Sequence, residues 1–490
     1  MNIRVRFAPS PTGHLHIGGA RTALFNYLFA KKSGGTFILR IEDTDELRST
    51  EESMNSIFES MKWLGLDWDE GAMPDLAEKG NSGPYVQSKR QDAGIYKKHA
   101  ERLLKEGMAY RCYCTPEELE DMRRKAQLEK RPLRYDGRCR KLSNAQAEDF
   151  ERQGRRPALR FSMPQEGKTQ FVDLIHKEME FENAILYDFI MIKASGYPTY
   201  NFACAIDDHL MEISNVIRGD DHISNTPLQL NLYNALGWAP PDFAHLSMIL
   251  GSDGARLSKR HGATSVQEYR KQGILAETLR NYLALLGWST SDSKQIFEKG
   301  ELEEKFDLKG CQKNPAIFDP VKLKWMNGEY IRKLSKQELF LLAKSYMVES
   351  GIDIECQSPE KAADIICLEQ EKYKLLSEIP SMIDFFFKEV IYSRDAVDKV
   401  FRAHGVEVIL NGIKDKYSGL GNFNEAEIEA ETRNFAKSNG FKTGQVFHPV
   451  RVAVSGRTEG PTLFKMIERL GKEQTLKRID KALELLKTLV

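Results

Sequence analysis

No run of apolar residues in this sequence approaches the roughly 18 that a membrane-spanning helix needs. No charge of one sign dominates. Lys+Arg and Asp+Glu number 71 each, so a uniformly basic coat for nucleic acid is excluded, while local basic patches are not. Cysteine is sparse and odd in number, seven in 490 residues, which argues against a disulfide framework and for a reducing, cytoplasmic setting. Residues 1–6 alternate charged and apolar side chains and contain no signal-peptide core. Internal repeats and low-complexity tracts are missing too. What is present is a globular balance, 41% hydrophobic and 29% charged, in a chain long enough for roughly three to five domains.

Ile3, Val5 and Phe7 alternate with Arg4 and Arg6, which predicts a strand with one buried face and one face of guanidinium groups. Pro9 to Gly13 forbids regular structure, Ala20 to Ala30 reads as a helix ended by Gly34-Gly35, and Thr36 to Ile41 reads as a second strand. Strand, loop, helix, strand opens a parallel α/β sheet, whose ligands bind at the carboxyl ends of strands. His14, His16, Gly18 and Gly19 fall at that end, just before a helix N-terminus. There free N–H groups and the helix dipole favour phosphate oxygens, and neutral imidazoles can donate to them. Asp207 to Asp221 reads as strand-like text before an acidic turn, Gln229 to Leu236 as a helix, and helices dominate from about residue 267. Near the end, Leu476, Ile479, Leu483 and Leu486 form one apolar helical face. A second Gly-rich stretch, Gly251 to Gly262, carries Arg256, Leu257, Ser258, Lys259 and Arg260, a basic loop suited to close over a triphosphate.

Ala8-Pro9-Ser10-Pro11-Thr12-Gly13 leading into His16-Ile17-Gly18-Gly19 resembles the HIGH region of class I aminoacyl-tRNA synthetases, in the wording of the bacterial glutamyl branch. Arg256-Leu257-Ser258-Lys259-Arg260 resembles the KMSKS loop of the same class. The resemblance runs over essentially the whole chain. It implies an α/β fold with a Rossmann-type parallel-sheet catalytic domain in two halves (1–82 and 207–245). Between them would lie an inserted acceptor-binding domain (83–206), followed by a stem-contact region (246–330) and an all-α anticodon-binding domain (331–490). Gly444 to Gly456 and Gly460 to Phe464 carry the last of these matches.

The implied activity is glutamate–tRNA ligation, with L-glutamate, ATP with Mg²⁺, and tRNA(Glu) as substrates, tRNA(Gln) as a second candidate acceptor, and a monomeric enzyme. His14, His16, Gly18 and Lys259 are then the catalytic residues. Arg6, Ala8, Ser10, Glu42, Tyr200, Cys204 and Arg218 form the glutamate pocket, with Glu42 accepting the ammonium group. Arg6 and Arg218 take the two carboxylates in either order. His16, Gly18, Gly19, His222, Arg256, Leu257, Ser258, Lys259 and Arg260 hold ATP. Asp207 and Asp208 read as structural rather than as Mg²⁺ ligands.

Cys112, Cys114 and Cys139 suggest tetrahedral zinc, and the resemblance offers Tyr135 as the fourth ligand; free thiols in a lost site are the other reading. Between Arg123 and Lys141 nine Lys/Arg face two acids, either a solvated helix face or a surface for the RNA acceptor end. Arg451 and Arg457 are equally open between anticodon contact and structural roles. Rivals within the enzyme class are the short relative that glutamylates a modified base and the glutaminyl enzyme. From another class, the rival is a catalytically silent paralogue acting as an RNA-binding regulator.

Overall fold

A computed structural model describes residues 2–45, 48–75, 77–131 and 134–489, with the backbone but not the side chain of Lys259. Strand β1 (Arg4–Phe7), helix α1 (Ile17–Ser33) and strand β2 (Thr36–Leu39) form the opening crossover, with β1 and β2 parallel from Arg4↔Thr36 to Phe7↔Leu39. Helix α1 is a turn longer at each end than its apolar spacing predicts. His16 caps its start and Gly34, at φ +61°, supplies the left-handed residue that stops it. After α2 (Glu51–Trp63), β3 (Glu70–Ala72) adds in parallel to β2, with β4 (Glu78–Lys79) antiparallel beyond it.

The expected guanidinium face of β1 is not solvated. Central parallel strands are covered on both sides, and here the charges are met internally: Arg4 by Glu70 at 2.8 Å and Arg6, 3% exposed, by Asp208 at 2.9 Å.

The central segment folds as β5 (Ala109–Cys112), β6 (Ala158–Phe161), β7 (Lys168–Asp173), β8 (Lys177–Glu182) and β9 (Ile190–Ile192). Strands β5, β6 and β9 make a three-stranded antiparallel sheet; β7 and β8 make a hairpin. That hairpin is not walled off, because β7 also pairs in parallel with β11 (Asp242–Leu246), Asp173 opposite Phe243. Strand β10 (Asn215–Gly219) pairs in parallel with β11 and starts beside β1, where the Ser214 N–H donates to the Arg4 carbonyl at 2.9 Å. The two sheet halves thus meet with their carboxyl ends together.

Asp207 and Asp208 do not begin a strand. They lie in the last turns of helix Tyr200–Leu210, and strand text starts only at Asn215. The β-branched Ile213, Val216 and Ile217 lie at or beside the strand, but the preceding Ala203-Cys204-Ala205 is better placed in a helix.

The chain divides into two compact units, residues 1–270 with 276–320, and residues 271–275 with 321–490. The second unit is helical. Its last helix, Lys472–Thr488, buries Ile479, Ala482, Leu483 and Leu486, with Leu476 half-buried. Among the described residues, no helix is long and apolar enough to cross a membrane.

Candidate active site

A cavity of about 580 Å³ opens at the carboxyl ends of β1 and β10. Its floor is the start of α1. The Nδ1 atom of His16 accepts the Gly18 N–H at 3.1 Å, which leaves the ring proton of the neutral imidazole on Nε2, free to donate to an anion. Partial burial and the nearby Arg256 guanidinium hold His16 below the usual histidine range, so the ring is neutral at physiological pH. Gly18 and Gly19 line the cavity beside it. His14 does not. The chain bends after Pro11, and the His14 ring turns to Ser56 of α2, Nδ1 to Oγ 2.9 Å.

The inner wall is a buried ionic network. Arg6 makes two bonds to Asp208, Nε to Oδ1 2.9 Å and Nη2 to Oδ2 3.2 Å. Arg40, fully buried, bonds Asp208 at 2.7 Å and Glu42 Oε1 at 2.9 Å. Burial pushes the Asp208 carboxyl up, but Arg6 and Arg40 outweigh it and hold it well below the usual range. Burial raises Glu42 despite Arg40 and Arg6; its second oxygen remains available to an ammonium group. Asp207 is engaged by Arg90 at 2.6 Å, Gln87 at 2.8 Å and Tyr96 at 2.9 Å. Both aspartates are therefore committed to side chains of the fold and have no oxygens to spare for a metal.

Cys204 was expected to line the pocket. It lies behind the wall instead, 1% exposed, its Sγ 3.7 Å from Arg6, 3.6 Å from Arg40 and 3.5 Å from Asp208. One helical turn separates Cys204 from Asp208, so both face the arginines and neither the cavity. Burial raises its thiol to about 12.

Arg218 closes the far side, 4% exposed. Its Nε donates to His245 Nε2 (3.2 Å), its Nη1 to Gln229 Oε1 (3.0 Å) and Tyr200 Oη (3.3 Å), its Nη2 to Thr226 Oγ1 (2.8 Å) and the His222 carbonyl (3.4 Å). Every partner is neutral. The two longest contacts, one per terminal nitrogen, run to Tyr200 and His222, the partners that line the cavity; the tighter ones run to residues outside its lining. Burial and Arg218 lower His222 to about 4. Burial likewise outweighs the Asp173 carboxylate and keeps His245 below the usual range.

The basic loop folds back on β12 (Ile249–Leu250), Leu257 N–H to the Ile249 carbonyl at 3.1 Å. Gly251 is required there, because a Cβ would stand 2.5 Å from the His261 ring. Arg256 and Leu257 line the cavity, and Arg256 pairs with Asp221 at 3.3 Å. Ser258 and Arg260, expected at ATP, are outside the lining. The Ser258 N–H binds His261 and Arg260 pairs with Asp253, both within the loop. The expected catalytic side chain of Lys259 lies outside the described residues; its backbone begins the turn Lys259–His261.

Cys112, Cys114 and Cys139 converge, with their sulfur atoms within 4.8 Å of one another. Tyr135 Oη stands 3.5 Å from Cys112 Sγ and 3.6 Å from Cys114 Sγ, and the Arg160 guanidinium lies 3.7 Å above the Tyr135 ring. The basic stretch after Arg123 is less bare than its composition predicts. Arg123, Arg124, Lys125, Arg131 and Arg138 pair with nearby acids, two of which, Glu120 and Asp121, sit just upstream, and Arg140 pairs with Asp188. Arg451 donates to the Pro461 carbonyl and Arg457 pairs with Asp384.

Of the expected glutamate pocket, Arg6, Ala8, Ser10, Glu42, Tyr200 and Arg218 surround one space, together with His222, which was assigned to ATP. Sequence reasoning missed Arg40, Asp173, Thr226, Gln229 and His245. Arg40 was findable, two residues before Glu42 on the same side of an extended segment. His245 was not, since Asp173 lies 72 residues away.

The fold and cavity are those of a class I synthetase, and the comparisons agree. The family described as tRNA synthetases class I (E and Q), catalytic domain, matches residues 2–325, and an anticodon binding domain matches residues 338–483. The chain belongs to this family. Glutamate–tRNA ligases resemble it over nearly its full length. That of Elusimicrobium minutum is 59% identical over 482 residues, covering 98% of this chain and 99% of the relative. That of Moorella thermoacetica is 48% identical over 486 residues, covering 98% of each. The crystal structure of a glutamate tRNA ligase from Elizabethkingia meningosepticum, in complex with its amino acid, superposes with a TM-score of 0.88 at 35% identity, covering 99% of this chain and 100% of the other.

Proposed function

We infer that the chain is a glutamate–tRNA ligase. It activates glutamate with ATP to glutamyl-adenylate and passes the acyl group to the terminal ribose of tRNA(Glu). The observation that carries the specificity is Arg218, a buried guanidinium with only neutral partners and one N–H of each terminal nitrogen turned towards the cavity. A carboxylate meets such a fork bidentately and supplies the missing negative charge; a carboxamide cannot. Arg218 is accordingly assigned the side-chain carboxylate of glutamate. Glu42, oriented by Arg40, is assigned the ammonium group. The α-carboxylate is then left beside Ser10, next to the already paired Arg6 and Asp208, and directed at the α-phosphate of ATP.

In-line attack expels pyrophosphate, and the developing charge falls where the α1 N-terminus, His16 Nε2–H and Arg256 can oppose it; the family resemblance adds Lys259 to that role. Mg²⁺ arrives with ATP as part of the substrate, since Asp207 and Asp208 are fully engaged. The second step needs no covalent enzyme intermediate.

The cysteine cluster fits zinc. Tetrahedral ligands on a zinc–sulfur bond of about 2.3 Å stand roughly 3.5–3.8 Å apart, and Cys114 to Cys139 is 3.5 Å, with Tyr135 Oη at similar range. Cys112, Cys114, Cys139 and Tyr135 would hold the ion, which would staple the loop between β5 and β6; Arg160 would offset part of the charge of three thiolates and a phenolate.

Aminoacylation with glutamate, using purified tRNA(Glu) and tRNA(Gln) side by side, tests the reading. Charging of tRNA(Glu) is expected. Charging of both would mark a relaxed anticodon site. If neither is charged while RNA still binds, the silent-regulator reading replaces this one.

A further inference from the structure

We propose that Asp173 and His245 act as a positioning pair for Arg218, setting it as an unneutralised receptor and thereby setting the preference for a carboxylate over a carboxamide on the substrate side chain. The proposal deepens the ligase reading and rests on it.

Both residues are fully buried, outside the cavity lining. The parallel register of β7 with β11 brings Asp173 opposite Phe243, two residues before His245. Asp173 Oδ1 accepts the N–H groups of Ile175 (2.9 Å) and His176 (2.8 Å). Asp173 Oδ2 accepts the His245 N–H (3.1 Å) and lies 2.6 Å from His245 Nδ1. A carboxylate so surrounded can only accept, so Nδ1 carries the ring proton and Nε2 is bare.

The bare Nε2 shares its one lone pair between the Arg218 Nε–H at 3.2 Å and the Thr226 hydroxyl at 3.1 Å, while Thr226 Oγ1 accepts from Arg218 Nη2 at 2.8 Å. Every proton in the chain Asp173–His245–Thr226–Arg218 then has one place. The interposed imidazole fixes the guanidinium plane yet keeps Asp173 a ring's width from it. A carboxylate in direct contact would neutralise Arg218, as Asp208 does Arg6, and remove the reason for it to bind an anion. The β7–β8 hairpin, part of the central segment, thus reaches the amino-acid pocket through one aspartate.

Asp173→Asn distinguishes this arrangement from passive filling. The amide oxygen is needed by Ile175 and His176, so the amide nitrogen faces His245 Nδ1. The ring proton moves to Nε2, where it opposes the Arg218 Nε–H. His245→Phe removes the acceptor, and His245→Gln returns a neutral one.

Pyrophosphate exchange in the presence of tRNA would be measured for glutamate, glutamine and ATP. Losing an oriented charged hydrogen bond should raise the glutamate KM about 10–100-fold in Asp173→Asn and His245→Phe and narrow the glutamate-to-glutamine ratio. The ATP KM should stay within about threefold, and His245→Gln should recover most of the loss. An unchanged glutamate KM, parallel rises for glutamate and ATP, or a Gln variant no better than Phe would overturn the proposal. Should Asp173→Asn fail to fold, the Gln and Phe variants at 245 still decide it. Inactivity of the unmodified enzyme towards glutamate would instead overturn the ligase reading.

Discussion

Arg6 and Arg218 are two buried arginines on one cavity, and they are buried in opposite ways. Arg6 is held by a carboxylate of its own chain, which Arg40 shares. Arg218 is held by an imidazole, an amide, two hydroxyls and a carbonyl. A buried ion pair is complete without a ligand. A buried cation among neutral dipoles is costly until an anion arrives. The same residue type therefore serves the fold at one end of the pocket and recognition at the other.

The largest expected effect lies at the recognition end. Arg218→Met should reduce kcat/KM for glutamate on the order of 10³-fold, the scale of a desolvated charge-assisted pair, with little loss of thermal stability. At the other end the loss should appear in the fold. Arg6→Met leaves Asp208 half-neutralised in the interior and should lower unfolding free energy by about 3 kcal/mol in urea titration. Asp208→Leu added to Arg6→Met should restore much of that stability, because the orphaned charge is gone. No second-site change should restore Arg218→Met, which has no such partner.

A smaller effect comes with acid. His222 is lowered to about 4, and His245 is lowered as well. A group with a depressed folded pKa gives stability that is complete above its unfolded value, about 6.5 for histidine, and lost as pH falls through the folded value. The melting temperature should therefore fall between pH 6.5 and 4, and His245→Gln should make the fall shallower. Below the ordinary carboxylate value of about 3.9, protonation of Asp208 should add to it. The smallest effect on recognition belongs to the cysteine cluster. Cys139→Ser should abolish the zinc binding proposed for this cluster, read by metal analysis, and leave the glutamate-to-glutamine ratio unchanged.

Much of the pocket was legible in the sequence because its parts sit in local text. His16 caps a helix whose first turn holds the glycines, Glu42 follows a strand, and Arg218 lies near the end of one. What sequence alone could not supply was pairing across long separations. Nothing in the residues around Arg6 says that Asp208 neutralises it 202 positions away, nor that Asp173 reaches His245 through strand register. Composition overstated the unpaired charge in the basic stretch after Arg123, where acids just outside the counted window pair with the cations. The resemblance placed Cys204 in the pocket, but its helical phase points it at the arginines rather than at the cavity.

The most direct test is the ratio of kcat/KM for glutamate over glutamine, measured in the unmodified enzyme, in Arg218→Met and in Arg6→Met. The ratio should collapse by about 100-fold or more in Arg218→Met, while Arg6→Met, at a temperature where it remains folded, should largely keep it. A ratio that survives loss of Arg218 and collapses with loss of Arg6 would show that the two arginines have been assigned the wrong way round.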